Sequence, residues 1–307
     1  MFHDTDAIQA KPYGTIARSM LSFIIVNWNG GEVFKQCVHS IARNVILIKN
    51  PDYEIIVIDN NSHDLDEKWI LSIPNLKLFK NKKNVGFAAG TNQGVRASKG
   101  DCLYFLNNDI ILQQGGLESL IQNLEAERVD AVVPKMLYPD GRQQYSIRGF
   151  PTLANLLSAT FGLHYLFEKL DTWFMRHMDY EKKQLVEQPM FSALMMRRNT
   201  WLQVGEMDEK FPLLFNDVDW FHRFKRLRLK CLFVPEATVS HVHGMSMNRH
   251  PFRKVFQSIT SMMIYFNKHQ ELKIFETICL YGIAVPMTAV RLLRETLIFV
   301  LKKEKIQ

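Results

Sequence analysis

The chain lacks a hydrophobic run long enough to cross a bilayer. Thr277 to Val290 is uncharged, but it falls short of the roughly 20 residues a spanning helix needs, and Pro286 interrupts it. A core helix or a surface-lying helix is expected there. Met1 to Arg18 lacks any apolar segment, so neither a secretory leader nor an anchor is expected. Cysteine is scarce: four residues, at 37, 102, 231 and 279, show no CxxC spacing, and two lie inside apolar runs. That pattern argues against a disulfide framework and for reduced core thiols in a cytoplasmic protein. No internal repeat or low-complexity segment is present, and the basic residues form no nucleic-acid recognition motif.

What is present suffices for a large core: 307 residues with 47% hydrophobic content. The net charge of +7 favours anionic partners, such as a nucleotide or an acidic membrane surface. Over the first hundred residues, short apolar runs (Leu21 to Val26, Glu54 to Ile58, Leu76 to Phe79, Cys102 to Leu106) alternate with segments of helical period. Phe34, Cys37, Val38 and Ile41 form one apolar stripe on a helix beginning after Gly30-Gly31. The pattern predicts an α/β fold with a mostly parallel sheet flanked by helices.

Three of these strands end in polar clusters: Asn27-Trp28-Asn29, Asp59-Asn60-Asn61-Ser62 and Asn107-Asn108-Asp109. Parallel strands place their C-terminal ends on one edge, so the clusters should gather around one crevice suited to a nucleotide. Asn107-Asn108-Asp109 ends the apolar run Cys102 to Leu106, which holds a lone carboxylate at the strand tip, a placement that suits a divalent metal on a phosphate, although a polar turn would look the same. Asn84 to Gly94 is a glycine-containing loop entering a helix, where backbone and ligand can approach closely.

Farther along, Val129 to Val133 reads as a strand and Tyr138-Pro139-Asp140-Gly141 as a turn. Ala154 to Met178 is apolar, aromatic-rich and of helical character; it either packs on the sheet or faces a groove or membrane. Asp217 and Asp219 stand two apart before the cationic, helix-like run Phe221 to Lys230, so one can face a pocket while the other pairs with arginine or caps the helix. Beyond the strand Cys231 to Val234 and a turn at Pro235-Glu236, His241 and His243 alternate on an extended segment. At most one of them can reach the site of Asp109.

Taken in order, Ile24-Ile25-Val26-Asn27-Trp28-Asn29, Val57 to Ser62, Asn84-Val85-Gly86-Phe87, Leu106 to Asp109, Phe191 to Arg198, Val204 to Asp208, Asn216 to Asp219 and His241 resemble the inverting glycosyltransferases of family 2, with a GT-A (Rossmann-like) fold. The resemblance spans roughly residues 20 to 250, and the apolar insertion before Phe191 looks like the bacterial rhamnosyltransferase-like branch.

The resemblance implies a tail over 1–19 and a GT-A domain over 20–250. Residues 20–110 would bind the nucleotide sugar, and 111–250 the acceptor, with a helical insertion at about 152–185. Residues 251–307 would be a C-terminal helical appendage that associates with membrane. It further implies donor contacts from Asn27, Asn29, Asp59, Asn84, Gly86, Asn107 and Asn108, with Asp59 on a pyrimidine base. A divalent metal (Mg²⁺ or Mn²⁺) would sit on Asp109 and His241, and Asp217 would be the catalytic base, supported by Asp219.

The implied donor is dTDP-rhamnose or a UDP-sugar, and the acceptor a saccharide, polyprenyl-linked, used in cell-surface polysaccharide synthesis at the inner face of the cell membrane. Three positions depart from the usual pattern: Asn107 opens the DxD motif, Asn216 precedes Asp217, and Ala193 stands where glycine is commoner. A sugar-nucleotidyltransferase and a non-catalytic nucleotide-sugar-binding scaffold are the alternatives. The first would normally carry a basic triphosphate loop, which Asn27-Trp28-Asn29-Gly30-Gly31 lacks; the second would tolerate loss of Asp109 and Asp217, and both are present.

Overall fold

The structure, a computed structural model, describes residues 20–48, 52–160, 162–211, 214–242 and 251–269, with single positions 278, 280, 282 and 288. The four early strands form where expected: β1 (Leu21–Asn27), β2 (Tyr53–Asp59), β3 (Leu76–Lys80) and β4 (Cys102–Asn107). β1 is parallel to both β2 and β4, and β2 to β3. Helices α1 (Gly31–Leu47), α2 (Glu67–Leu71) and α3 (Phe87–Ala97) connect them, and the predicted stripe of α1 is buried.

Alternation along β1 explains why the sheet needs helices on both faces. Phe23 and Ile25 pack with Phe34, Val38 and Ile41 of α1 and with Leu117, Leu120 and Leu124 of α4 (Gly116–Ala126). Ile24 points the other way, into a cluster with Ala88 and Val95 of α3 and with Trp201, Trp220 and Phe224.

The second half completes the sheet in mixed orientation, through β5 (Ile110–Leu112), β6 (Ala131–Leu137), β10 (Ala193–Arg197) and β11 (Cys231–His241), in the order β3-β2-β1-β4-β10-β6-β11-β5. β10 runs antiparallel to β4, and β5 antiparallel to β11. A short β8 (Gln184–Val186) also pairs with β11, and β7 (Ile147–Arg148) pairs with β9 (Gln188–Pro189) in a separate two-stranded sheet. Helices α7 (Arg198–Val204) and α8 (Asn216–Arg226) cover the second face.

Several expectations need correction. β11 does not turn at Pro235-Glu236: it continues to His241 with a register shift between Val234 and Thr238, a bulge that accommodates a residue with no N–H to donate. The region from Ala154 to Met178 is not one helical stretch. It divides into α5 (Leu153–Thr160), α6 (Leu163–Leu166) and a 3-10 turn at Glu168–Leu170, with left-handed Gly162 at the break. α8 starts before the expected run, at Asn216, so both aspartates lie in its first turn rather than ahead of it.

The predicted turn at Tyr138 is present, closed by Gly141 N–H donating to the Tyr138 carbonyl at 2.9 Å. α9 (Pro251–His269) packs Met262, Tyr265 and Phe266 on Leu156 of α5, on Val218 of α8 and on Phe215 just before it. Cys37, Cys102 and Cys231 are free and buried, whereas Cys279 and nearly all of Thr277 to Val290 lie outside the described residues. Among the described residues, no helix is long and apolar enough to cross a membrane.

Candidate functional site

From β3 the chain returns through α3 to β4, on the opposite side of β1. The sheet therefore reverses its strand order between β1 and β4, the position where an open sheet forms a crevice. The three polar clusters meet there. Asn108 Nδ2 donates to Asn27 Oδ1 at 2.8 Å, and Asn27 Nδ2 donates to Asp59 Oδ1 at 2.9 Å. The Ser62 hydroxyl donates to Asp59 Oδ1 at 2.6 Å, and its N–H reaches Asp59 Oδ2 at 2.9 Å. Asn29, in the left-handed region at φ 52°, accepts from His63 N–H at 2.8 Å and donates its own N–H to Ser62.

Asp59 is thus fully buried and serves as the acceptor hub of this chain of bonds. Gly30 sits against the chain so closely that a Cβ there would lie 2.6 Å from both Asn27 Oδ1 and Asn108 Nδ2. Gly86 begins α3 at φ 90°, a conformation only glycine adopts without strain, and its N–H donates to Asn84 Oδ1 at 2.9 Å. Asn84 is exposed and lines an open groove of about 880 Å³ with Lys83, Gln93 and Arg96 along α3. None of Asp59, Asp109 and Asp217 lines that groove, so its size does not locate the chemistry. Asn107 is partly buried at the end of β4, its N–H donating to the Ser192 carbonyl.

Asp109 and His241 come together through the main chain. His241 is the register partner of Ile110 in the β5–β11 ladder, and Val242 N–H donates to the Asp109 carbonyl at 3.0 Å. His241 Nε2 then lies 3.3 Å from Asp109 Oδ1, while its Nδ1 lies 3.0 Å from Gln144 Oε1. Gln144 Oε1 is placed to accept from Nδ1, and Nε2 faces the carboxylate. Asp109 Oδ1 is buried and receives no hydrogen bond among the described residues. An imidazole nitrogen beside a buried carboxylate oxygen is a pair of groups that fits a divalent ion. Among the described residues no group of three or more His, Cys, Asp or Glu side chains could hold a metal. His243 lies outside the described residues.

Asp217 sits in the first turn of α8, after Phe215 at φ 67°, with its Oδ1 accepting from Val218 N–H at 2.8 Å. That bond, the helix terminus and the Arg148 charge all favour the ionised form, yet burial outweighs them and pushes the carboxyl up to about 6. Asp219 has the opposite surroundings. Burial raises it, but hydrogen bonds from His269 and Lys268 and the charge of Arg223 win and hold it near 2. His269 Nε2 and Lys268 Nζ lie 2.6 and 2.7 Å from Asp219 Oδ1, and Arg223 lies 3.1 Å from Oδ2. Asp219 is therefore an ionic anchor between α8 and α9, turned away from the face that carries Asp217.

Two residues escaped sequence reasoning. Gln144 has no motif around it, and Arg148 was visible only as one of several basic residues flanking the apolar insertion. Both line a cavity of about 170 Å³, together with Tyr138, Tyr165, Phe174 and Arg176. Gln144 on the cavity wall is bonded to His241, and the charge of Arg148 on the same wall acts on Asp217. The matched segment Val204 to Asp208 is held through its main chain: Asn92 bonds Met207 in both directions, and Trp220 donates to the Gly205 carbonyl at 2.9 Å.

Comparison with known proteins gives a consistent result. The poly(ribitol-phosphate) β-N-acetylglucosaminyltransferase TarP of Staphylococcus aureus is 32% identical over 119 residues, 38% of this chain and 36% of TarP. The N-acetylglucosaminyl-diphospho-decaprenol L-rhamnosyltransferase of Mycobacterium tuberculosis is 24% identical over 253 residues, 76% of this chain and 79% of that enzyme. Among solved structures, GalNAc-T7 with UDP, GalNAc and Mn²⁺ superposes with a TM-score of 0.56 at 18% identity, over 74% of this chain and 44% of that one. The fold is GT-A, as the motifs imply. The model of one protein family, Glycosyl transferase family 2, matches residues 22–200, and the chain belongs to that family: it is a glycosyltransferase.

Proposed function

We propose that the chain is an inverting transferase that moves a sugar from a nucleoside diphosphate, dTDP-rhamnose or a UDP-sugar, to a hydroxyl of a saccharide acceptor in cell-surface polysaccharide synthesis. The observation that carries this reading is the cavity whose wall holds both Gln144, bonded to His241 of the Asp109–His241 couple, and Arg148, whose charge acts on Asp217. The nucleotide lies across the strand ends, where Asn27, Asn29, Asp59, Asn107 and Asn108 shape the floor and Asn84 and Gly86 the rim. Asp59 acts by holding Asn27 and Ser62 in place, because its own oxygens are engaged within the protein.

Asp109 and His241 hold Mg²⁺ or Mn²⁺, which when bound offsets the charge that develops on the departing diphosphate. Gln144 fixes the tautomer that leaves His241 Nε2 able to ligate. Asp217 takes the proton of the acceptor hydroxyl as its oxygen attacks the anomeric carbon opposite the leaving group, so the configuration inverts. A carboxyl titrating at about 6 is ionised at neutral pH and still basic enough to accept that proton. The acceptor is polyprenyl-linked in this reading, and the protein sits peripherally on an acidic membrane face through basic residues between 291 and 305, which lie outside the described residues.

The deciding experiment is a thermal-shift panel of UDP-, GDP- and dTDP-sugars with Mn²⁺ or Mg²⁺, followed by transfer assays with and without chelator. One nucleotide class should stabilise the protein in a metal-dependent way. Binding to none would favour a scaffold, and transfer that survives complete chelation would remove the metal from Asp109 and His241.

A further inference from the structure

Within the cavity beside Asp217, the charges do not balance. Arg176 is answered by Asp171, whose Oδ2 lies 2.9 Å from its Nε. Arg148 is half-buried, stacks over Phe174 with its guanidinium carbon 5.1 Å from the ring centroid, and makes no ion pair among the described residues. Burial works against its charged form, and Tyr180, Asp217, Asp171 and Tyr138 favour it only through their charges. A half-buried guanidinium with no carboxylate at ion-pair distance among the described residues is stabilised when an anionic ligand supplies one.

We propose that this cavity is a subsite for a phosphate group of the acceptor, held by Arg148 with Arg176 in support, so that the enzyme selects acceptors carrying phosphate next to the accepting sugar. This rests on the transferase reading above and names the acceptor class for it. The planar fork of an arginine matches phosphate oxygens in a bidentate way, and a volume of about 170 Å³ admits a phosphate or diphosphate but not a nucleotide. Gln144 on the same wall is bonded to His241, and Arg148 acts on Asp217 by its charge, which ties a phosphate held here to both groups.

Two sources share this chemistry, a lipid diphosphate and a polyol phosphate chain. The rim of the cavity favours the lipid: Tyr165 lines it and is 74% exposed, followed by Leu166 at 73% and Phe167 at 57%, an apolar ledge suited to hydrocarbon.

The test compares four acceptors: a short-prenyl diphosphate-linked sugar, a polyol-phosphate oligomer, and the phosphate-free counterpart of each. With wild-type protein, removing the phosphate should lower kcat/KM about 10- to 100-fold, mainly through KM, as expected for a charged hydrogen-bonded pair. In Arg148→Gln the penalty should shrink to about threefold or less, and Arg148→Lys should recover part of it. Whichever phosphate-bearing acceptor is used identifies the source, and either supports the subsite. Equal use of phosphate-bearing and phosphate-free acceptors by the wild type overturns it, as does an Arg148→Gln loss that is the same for both. Calorimetric binding of the phosphate-bearing acceptor without donor, in wild type and Arg148→Gln, keeps this result separate from a failure of the donor reading. Unchanged affinity in the variant also overturns the subsite.

Discussion

Consider the replacement of Asp217 by asparagine. The side chain keeps its shape and its acceptor oxygen for Val218 N–H, and loses only the charge. In the folded protein burial pushes this carboxyl up to about 6, whereas in an unfolded chain an aspartate titrates near ~3.9. The folded state therefore retains a proton that the unfolded state releases between about pH 4 and pH 6, and stability falls as pH rises through that window. A shift of roughly two units corresponds to about 3 kcal/mol of destabilisation at neutral pH. Asparagine removes that burden but forfeits the attraction of Arg148, so a gain of about 1–3 kcal/mol is expected at pH 7.5, a rise in Tm of roughly 2–4 °C per kcal/mol. At pH 4 the gain should vanish, because the wild-type carboxyl is then neutral as well. Transfer should fall by about 10²–10⁴-fold, and in the wild type kcat/KM should decline about tenfold per pH unit below pH 6. Calorimetry at the two pH values, paired with a transfer assay, measures both effects. A variant that transfers within about tenfold of wild type would refute the base assignment, and a Tm difference independent of pH would refute the desolvation argument.

Asp109→Asn should abolish the stabilisation by Mn²⁺ in the presence of nucleotide and reduce transfer by at least about 100-fold; a retained metal-dependent Tm shift would place the ion elsewhere. Asp219→Asn should cost about 2–4 kcal/mol in urea denaturation, the lower end because Lys268 is a third exposed, while the folded variant keeps transfer within about fivefold. Since Asp219 is held near 2, its contribution is complete above about pH 4 and is lost as pH falls toward 2; a 100-fold loss of transfer at full folding would return it to the chemistry. Gly30→Ala forces a Cβ to 2.7 Å from the Phe34 Cβ as well as onto the two asparagines, and should destabilise the fold by about 1–3 kcal/mol and weaken nucleotide binding; unaltered titration curves would contradict the close packing.

The first hundred residues could be read from sequence because the strands are short apolar runs separated by segments of helical period, a pattern that places them side by side in parallel. The convergence of Asn27, Asp59 and Asn108 follows from that parallel arrangement alone. The mixed half was harder. β5 has three residues and β7 and β9 two each, too few to show a period, and β11 hides a bulge behind a proline that reads as a turn. The insertion misled because hydrophobic spacing cannot foresee that Gly162 turns left-handed and that the chain then leaves Tyr165, Leu166 and Phe167 exposed. The two carboxylates of α8 illustrate the limit best. Their spacing announced that one would face a pocket and one would pair, but which partners each had depended on Arg148, 69 positions earlier, and on His269, 50 positions later.

The hydrogen-bonded chain from Asn108 through Asn27 to Asp59 and Ser62 also bears on how such a protein can change over generations. The bonds from Asn108 to Asn27 and from Asn27 to Asp59 each join different strand ends, so replacing one member strands a buried polar atom on another, at about 1–3 kcal/mol. Single steps are penalised and paired steps are partly forgiven, so the effects of mutations here will not add. The strand tips are inherited as a block, and variation along this edge is channelled to the exposed rim at Asn84.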